Sequence, residues 1–404
     1  MALYRKNKQA SVTGLARMML PDFVLGEFAK RFGREAAVLV RAPGRVNLLG
    51  AHVDYVEGWV LPGAIDRALT LAAAPRPDST VTIHALDFNE SASFSLSLPL
   101  APLSSPVWLN YPLGIAWALQ QNGRPLMGMD VVVAGNVPIG AGVSSSAAVE
   151  MAFLLAWEVL GSYELNDLAR ARLGQQTENQ FLGVGSGMMD QFASVHGRAN
   201  CLVLLDCRTY AHERLPLPRD TAVILADSGV RRQLVKSHYN DRPQECREAA
   251  AMLNRYLPQV RTLRDVSPEM LAEYGRFLPD TLRRRAQHAV SECGRVLAGV
   301  AALREGDVVT FGRLISESQA SSRHNYENSL PELDVLAEAA SSVEGCYGAR
   351  FGGGGFGGFM QVLARKTAVA VIEDAMREAF AREFGRVPNM FTCQIGDGAV
   401  CEWV

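Results

Sequence analysis

Residues 140–150, GAGVSSSAAVE, carry a glycine-containing turn straight into three serines and then into a strongly apolar helical segment. Glycine lets the backbone come close to a ligand, and the first turn of the following helix presents unpaired N–H groups at the positive end of its dipole. Such a turn is a cradle for phosphate. The stretch lacks the Lys-Ser/Thr ending of a P-loop and is not G-x-G-x-x-G, so neither familiar nucleotide motif applies. Taken alone, it also reads as a plain turn before a helix.

Working outward, MDVVVAG from Met129 predicts a strand feeding the turn. Ser146 to Leu160 predicts a helix apolar on nearly every side, stopped at Gly161, which belongs in the middle of a fold. Short β-type runs dominate the first third: AVLVRAP from Ala36, ALTLAAA from Ala68, VTIHAL from Val81 and the alternating ASFSLSL from Ala92. Trp108 to Asn122 reads as one helix. A helix starting near Asn166 carries Glu178, and after the break GVGSG at 183–187 another holds Asp190. From Cys201 the pattern restarts with strands CLVLLDC and AVILADS, followed by four or five helices between Ser237 and Ser342. Strands YGARF and GFMQVLA, a helix over Thr367 to Phe384 and a strand near Met390 close the chain. Strands at the start of each half, with helices after them, predict two α+β domains, 1–205 and 206–404, rather than a regularly alternating parallel sheet.

With 404 residues the chain has room for two full cores. A formal net charge of -2 and a pI near 6.4 give no general attraction to nucleic acid or to an anionic membrane, so anion binding is expected to be local and of small-molecule scale. The seven cysteines are scattered without C-x-x-C spacing, which fits free thiols in a reducing cytoplasm and gives no zinc signature. The longest apolar runs, Ala68 to Pro75 and Ala147 to Trp157, are shorter than the ~20 residues that span a bilayer. Arg5, Lys6, Lys8 and Arg17 read as part of a solvated first helix, because no apolar targeting core follows them. A soluble monomer or weak homo-oligomer is expected.

Two further stretches concentrate chemistry. RAPGRVNLLGAHVDYVEGWVLPGAID at 41–66 packs Arg45, His52 and Asp54 into ten positions between glycine turns, a density that suggests recognition, with a surface turn as the plain alternative. YGARFGGGGFGGFMQV at 347–362 sets six glycines in seven positions around Phe356, costly in entropy unless the backbone must approach something closely or a turn with a bulge forms there.

In order, PGRVNLLG, PIGAGVSSSAAVE and RFGGGGFGGF resemble the three signature motifs of the GHMP kinases, the superfamily of galactokinase, homoserine kinase, mevalonate kinase and phosphomevalonate kinase. GRVNLLGAHVDY at 44–55, TENQFLGVGSGMMDQF at 177–192, SHYNDRPQEC at 237–246 and YENSLPELD at 326–334 place the resemblance in the galactokinase branch. It implies an α+β fold with an N-terminal domain of the ribosomal-protein type and a ferredoxin-like C-terminal domain, with ATP and a sugar in the cleft between them. It further implies a sugar 1-kinase that uses ATP and Mg²⁺. By the same resemblance Asp190 accepts the proton of the anomeric hydroxyl, Arg45 stands beside the transferring phosphoryl group, and Ser146 and Glu178 hold magnesium. Gly140, Gly142, Ser144, Ser145 and Ser146 would cradle the triphosphate, and His52, Asp54, Gly187 and Tyr239 would contact sugar hydroxyls.

The chain departs from the pattern at Ala51, where galactokinases have Glu. In the family that carboxylate takes a hydrogen bond from the C6 hydroxyl of the sugar. Alanine removes the acceptor and the charge together, so a galacto-sugar with a carboxylate at C6, such as galacturonate, is tolerated there. Ordinary galactose remains the alternative. Gly352 and Phe359 also differ from the usual Ser/Thr and small residue of the third motif. Relatives that bind sugar and ATP only as sensors lose residues of the serine loop, which is intact here.

Overall fold

The computed structural model describes residues 14–139, 142–230 and 241–404. Arg5, Lys6, Lys8, Gly140 and Tyr239 lie outside that set. Strands β1 (Val38–Leu49), β2 (Trp59–Pro75), β3 (Thr80–Ala85), β4 (Glu90–Ser95), β5 (Met129–Gly135), β6 (Cys201–Asp206) and β7 (His212–Pro216) share one sheet. A second sheet holds β8 (Thr221–Asp227), β9 (Cys346–Phe351), β10 (Phe359–Arg365) and β11 (Met390–Cys393) in the order β11-β8-β10-β9, all antiparallel. The last strand, β12 (Val400–Trp403), returns to the first sheet and lies antiparallel to β1, with Val38 opposite Trp403.

Cys201–Asp206, which the sequence reads as opening the second half, instead pairs with the start of β2 through Trp59↔Asp206 and Val60↔Leu205. The reason is the length of β2: its first residues run past the part paired with β5 and offer a free edge. Sheet membership would divide the chain between Pro216 and Thr221, later than residue 205, with β12 crossing back; we adopt that division as our proposal for the two domains.

The helix Ser145–Leu160 is apolar all round because it is covered all round. Met151, Phe153 and Trp157 sit in one core with Val40 and Leu71 of the first sheet and Ile115 and Leu119 of the helix Asn110–Gln121. The opposite face of that sheet is closed by Val24 and Phe28 of the helix Gly14–Phe32, which pack on Ala72, Ala74, Val132 and Ala134. That helix is therefore half core rather than simply solvated. Between the sheets, Val46, Leu48 and Leu61 meet Leu225, Phe359 and Leu363, together with Val296 and Phe311 from helices of the second half. This continuous apolar contact joins the two sheets.

Two other local differences bear on the site. The helix expected from Trp108 begins at Asn110 after a single 3₁₀ turn, Val107–Leu109. The helix that starts at Asp167 ends at Gln176, and Glu178 falls in a following π-turn, Thr177–Phe181. Single π-turns inside helices widen the backbone and recur at functional sites.

Candidate active site

Gly44 decides where the first motif points. Pairing of β1 with β2 shifts register between Pro43 and Arg45, and a Cβ on Gly44 would stand 2.6 Å from the carbonyl oxygen of Val143. Glycine alone lets β1 touch the serine loop, and the Arg45 N–H donates to that same Val143 oxygen at 3.0 Å. The bulge turns the Arg45 side chain inward. Its Nε donates to Asp190 Oδ1 at 2.7 Å, its Nη2 lies 2.6 Å from the same oxygen, and its Nη1 donates to the Gly142 carbonyl at 2.6 Å. Asp190 Oδ2 accepts from the Ser144 hydroxyl.

Ser144 has a left-handed backbone, φ 55°, and its hydroxyl does not cap the helix that follows. The N–H groups of the first helical turn therefore keep their outward donors, as a phosphate cradle requires. His52, φ 57°, is the other strained residue of the site. Non-glycine residues hold such angles at a cost of about 1–3 kcal/mol, which the surroundings must impose. Around His52 those surroundings are Tyr55, whose hydroxyl lies 2.7 Å from Nδ1, and Asn328, whose Nδ2 lies 2.9 Å from Nε2.

Glu178 faces the serine loop. Its Oε1 accepts from the Ser146 hydroxyl at 3.3 Å and its Oε2 from Ser186. Burial, with the charge of Asp190, raises its carboxyl to about 7. A Mg²⁺ ion requires little dedicated protein: one carboxylate, one hydroxyl, phosphate oxygens and water fill its shell. Among the described residues no cluster of three or more His, Cys, Asp or Glu is placed to hold a metal, so Ser146 and Glu178 fit a magnesium that arrives with phosphates better than a stand-alone metal centre.

Asp54 is pressed against the backbone of Gly187, where any Cβ would overlap its Oδ2. Burial and the neighbouring charge of Asp190 raise Asp54 to about 6, above its ordinary 3.8. A carboxyl raised in this way is favoured by folding only when protonated, so its cost is absent below the unfolded value and full above about pH 6. Asp54→Asn is accordingly expected to stabilise the ligand-free protein by roughly 1–3 kcal/mol at pH 8 and hardly at all at pH 4. Urea denaturation at the two pH values checks this; equal stability of both proteins at pH 8 would contradict it.

Arg45, Ala51, His52, Asp54, Gly142, Ser144, Ser145, Ser146, Glu178, Gly187 and Asp190 line one cavity of about 820 Å³. Thus the described residues proposed from the sequence for catalysis, sugar, phosphate and magnesium meet there. The sequence reading missed the rest. The cavity's far end is apolar, with Leu69, Val133 and Val137 under Phe88 and Trp108, whose rings lie 6.2 Å apart at 20°. Trp108 is fixed by its Nε1 donating to Glu90 at 2.6 Å. The near end includes Arg350, Gly353 and Gly354 of the third motif. Behind Ala51, the fully buried Glu292 accepts the N–H groups of Gly50 and Ala51, each at 2.9 Å, and the Ser318 hydroxyl at 2.7 Å. Burial opposes its charge, yet Arg295 and Arg350, with the N–H groups it accepts, hold it down at about 2. His288, lowered to about 4 by burial, is neutral and donates from Nε2 to the Ala51 carbonyl at 3.0 Å. Only YENSLPELD hinted at Tyr326 and Asn328 in the sequence, and nothing local marked Glu292 or His288.

Comparison with known proteins gives concordant results. The chain matches the galactokinase galactose-binding signature over residues 26–75, the GHMP kinases N terminal domain over 110–198 and the GHMP kinases C terminal over 300–382. It is 43% identical to a galactokinase of Roseiflexus sp. (strain RS-1), over 92% of this chain and 94% of that one. A galactokinase of Chloroflexus aggregans is 39% identical over 94% of this chain and 97% of its own length. Among solved structures, Lactococcus lactis galactokinase complexed with galactose superposes with a TM-score of 0.88 at 32% identity, covering 93% of this chain and 98% of that one. A mevalonate kinase, at 16% identity and a TM-score of 0.61, shares the fold.

Proposed function

Because the chain belongs to the galactokinase family of the GHMP kinases, we propose that it transfers the terminal phosphoryl group of ATP to the anomeric hydroxyl of a galacto-configured sugar, giving a sugar 1-phosphate and ADP. The two-domain α+β fold is that of the GHMP kinases, and the chain is an alcohol-acceptor phosphotransferase that uses ATP and Mg²⁺. The observation that carries the proposal is the junction of Arg45, Ser144 and Asp190 at the mouth of an uncapped helix, with Asp54 and His52 on the side away from the apolar end.

Phosphoryl transfer asks little covalent chemistry of a protein; it asks for in-line placement and for neutral surroundings where charge develops. Asp190 Oδ2, now engaged by Ser144, is the atom that takes the anomeric proton as the sugar oxygen attacks. Such assistance is worth roughly 10² to 10⁴ in rate. Arg45, fixed by Asp190 and by the Gly142 carbonyl, stands where charge builds on the moving phosphoryl group. The N–H groups of Ser145 and Ser146 receive phosphate oxygens, and Ser146 with Glu178 would hold magnesium. When bound, that ion supplies charge neutralisation across the phosphates. Phe88 and Trp108, stacked at the apolar part of the cavity, would offer a surface to the nucleobase. Asp54, backed by Gly187, and His52, held by Asn328, orient the sugar hydroxyls.

A finer reading concerns C6. Ala51 turns only a methyl group toward the cavity where the family has a carboxylate, and its backbone is held on both sides by Glu292 and His288. We therefore include galacturonate beside galactose as a substrate. ADP release from a panel of galactose, galacturonate, arabinose, glucose and N-acetylgalactosamine tests the sugar class. Ala51→Glu is expected to move the ratio of kcat/KM tenfold or more toward galactose, since a charge-assisted hydrogen bond gained with the C6 hydroxyl contributes about 1.5–3 kcal/mol and two facing carboxylates repel. An unchanged ratio would mean that position 51 does not read C6.

A further inference from the structure

Arg350 is a buried cation with no direct ion pair among the described residues. It lies on β9 opposite Gln361 of β10 and is only 1% exposed, yet it lines the cavity beside Asn47, Ala51 and Gly353. Its Nη1 donates to the Asn47 carbonyl at 3.0 Å, and its buried Nε has no partner. Among the described residues none of the ion pairs includes it, and residues 1–13, 140–141 and 231–240 contain no Asp or Glu. The acid whose field reaches it, Glu292, is bound to Arg295 at 2.7 Å. Loss of water around the guanidinium lowers Arg350 to about 10.

Its neighbours are equally incomplete. Asn47 Oδ1 and both amide atoms of Gln361 are buried without hydrogen bonds. Gln361 fills the room left by Gly352, where any Cβ would overlap its Nε2, so these groups are packed tightly and still unpaired. A desolvated guanidinium with open donors is costly in the free protein, and such groups recur where a ligand completes them. The cavity's other arginine, Arg45, is already neutralised by Asp190.

We propose that Arg350 is an oxyanion-binding residue of the sugar pocket whose counter-ion arrives with the ligand. The inference rests on the galacto-sugar reading above and deepens it. The oxyanion has two possible sources, a carboxylate at C6 of the sugar or the phosphate at C1 of the product. Ala51 favours the first: it lines the same cavity as Arg350 and puts only a methyl group where a C6 carboxylate would need room, and Glu292, whose charge reaches Arg350, accepts the Ala51 N–H.

Calorimetric binding of galactose, galacturonate and galactose 1-phosphate to the wild type, Arg350→Met and Arg350→Lys provides the test, alongside ligand-free melting curves. Arg350→Met is expected to weaken at least one of the two anionic sugars tenfold or more beyond any loss for galactose, with Arg350→Lys between. Its ligand-free melting temperature is expected to stay level or rise, because an unpaired buried charge has been removed. Selective loss of galacturonate assigns the C6 source, and selective loss of galactose 1-phosphate assigns the C1 source. Equal weakening of all three ligands, or a lowered melting temperature in both variants, would overturn the inference and leave the kinase reading intact. A wild type that binds none of the three sugars would overturn both.

Discussion

Asp190→Asn is expected to fold, to keep nucleotide affinity and to lose at least a factor of about 10² in kcat. The substitution is isosteric, and the amide oxygen still offers an acceptor to Arg45, whose Nε and Nη2 both meet a single oxygen of Asp190. What disappears is the second oxygen, on the Ser144 side, as a proton acceptor. Steady-state rates with ATP, Mg²⁺ and the best sugar of the panel, set beside a melting curve, check this. Turnover within a few-fold of wild type in a folded Asp190→Asn protein would remove Asp190 from the chemistry.

A second large effect is expected at a residue that has no side chain. Gly44→Ala would drive a methyl carbon into the Val143 carbonyl, 2.6 Å away, and toward Val137 Cγ1, 2.9 Å away. Backbone on both sides prevents an easy escape, so β1 and the serine loop must separate by several tenths of an ångström. Arg45 and Ser144 ride on those two segments, and their geometry toward Asp190 moves with them. A misplacement of about 1 Å near a reacting centre costs on the order of 10² in rate. The expected outcome is a fall of that size in kcat/KM for both substrates. Wild-type kinetics in Gly44→Ala would show that contact between the two motifs is not what aligns the site.

The parts of the site legible in the sequence are those whose chemistry is local. A glycine turn running into serines and an apolar helix needs no tertiary knowledge to be read as a phosphate cradle, and the density of Arg45, His52 and Asp54 in a short stretch marks recognition by itself. The parts that were not legible depend on distant partners. Glu292 sits in a long helix, Asp280–Arg304, among many charged residues, where a glutamate reads as solvated; only the arrival of the Gly50–Ala51 backbone from the other half of the chain makes it a buried anchor. Phe88 and Trp108 come from separate elements that meet only after folding. β6 resembles any strand that begins a domain, and its place beside β2 follows from strand length rather than composition. The π-turn at Glu178 likewise has no local signal, because it exists to widen a helix that packs against others.

The central claim is transfer of phosphate to the anomeric oxygen. Incubation with ATP, Mg²⁺ and a galacto-sugar labelled with ¹³C at C1, followed by ³¹P and ¹³C NMR, reads it directly. The account predicts a single phosphomonoester whose phosphorus couples to the labelled carbon, formed in step with ADP. A phosphoester on another carbon, or ADP and inorganic phosphate with unchanged sugar, would contradict it.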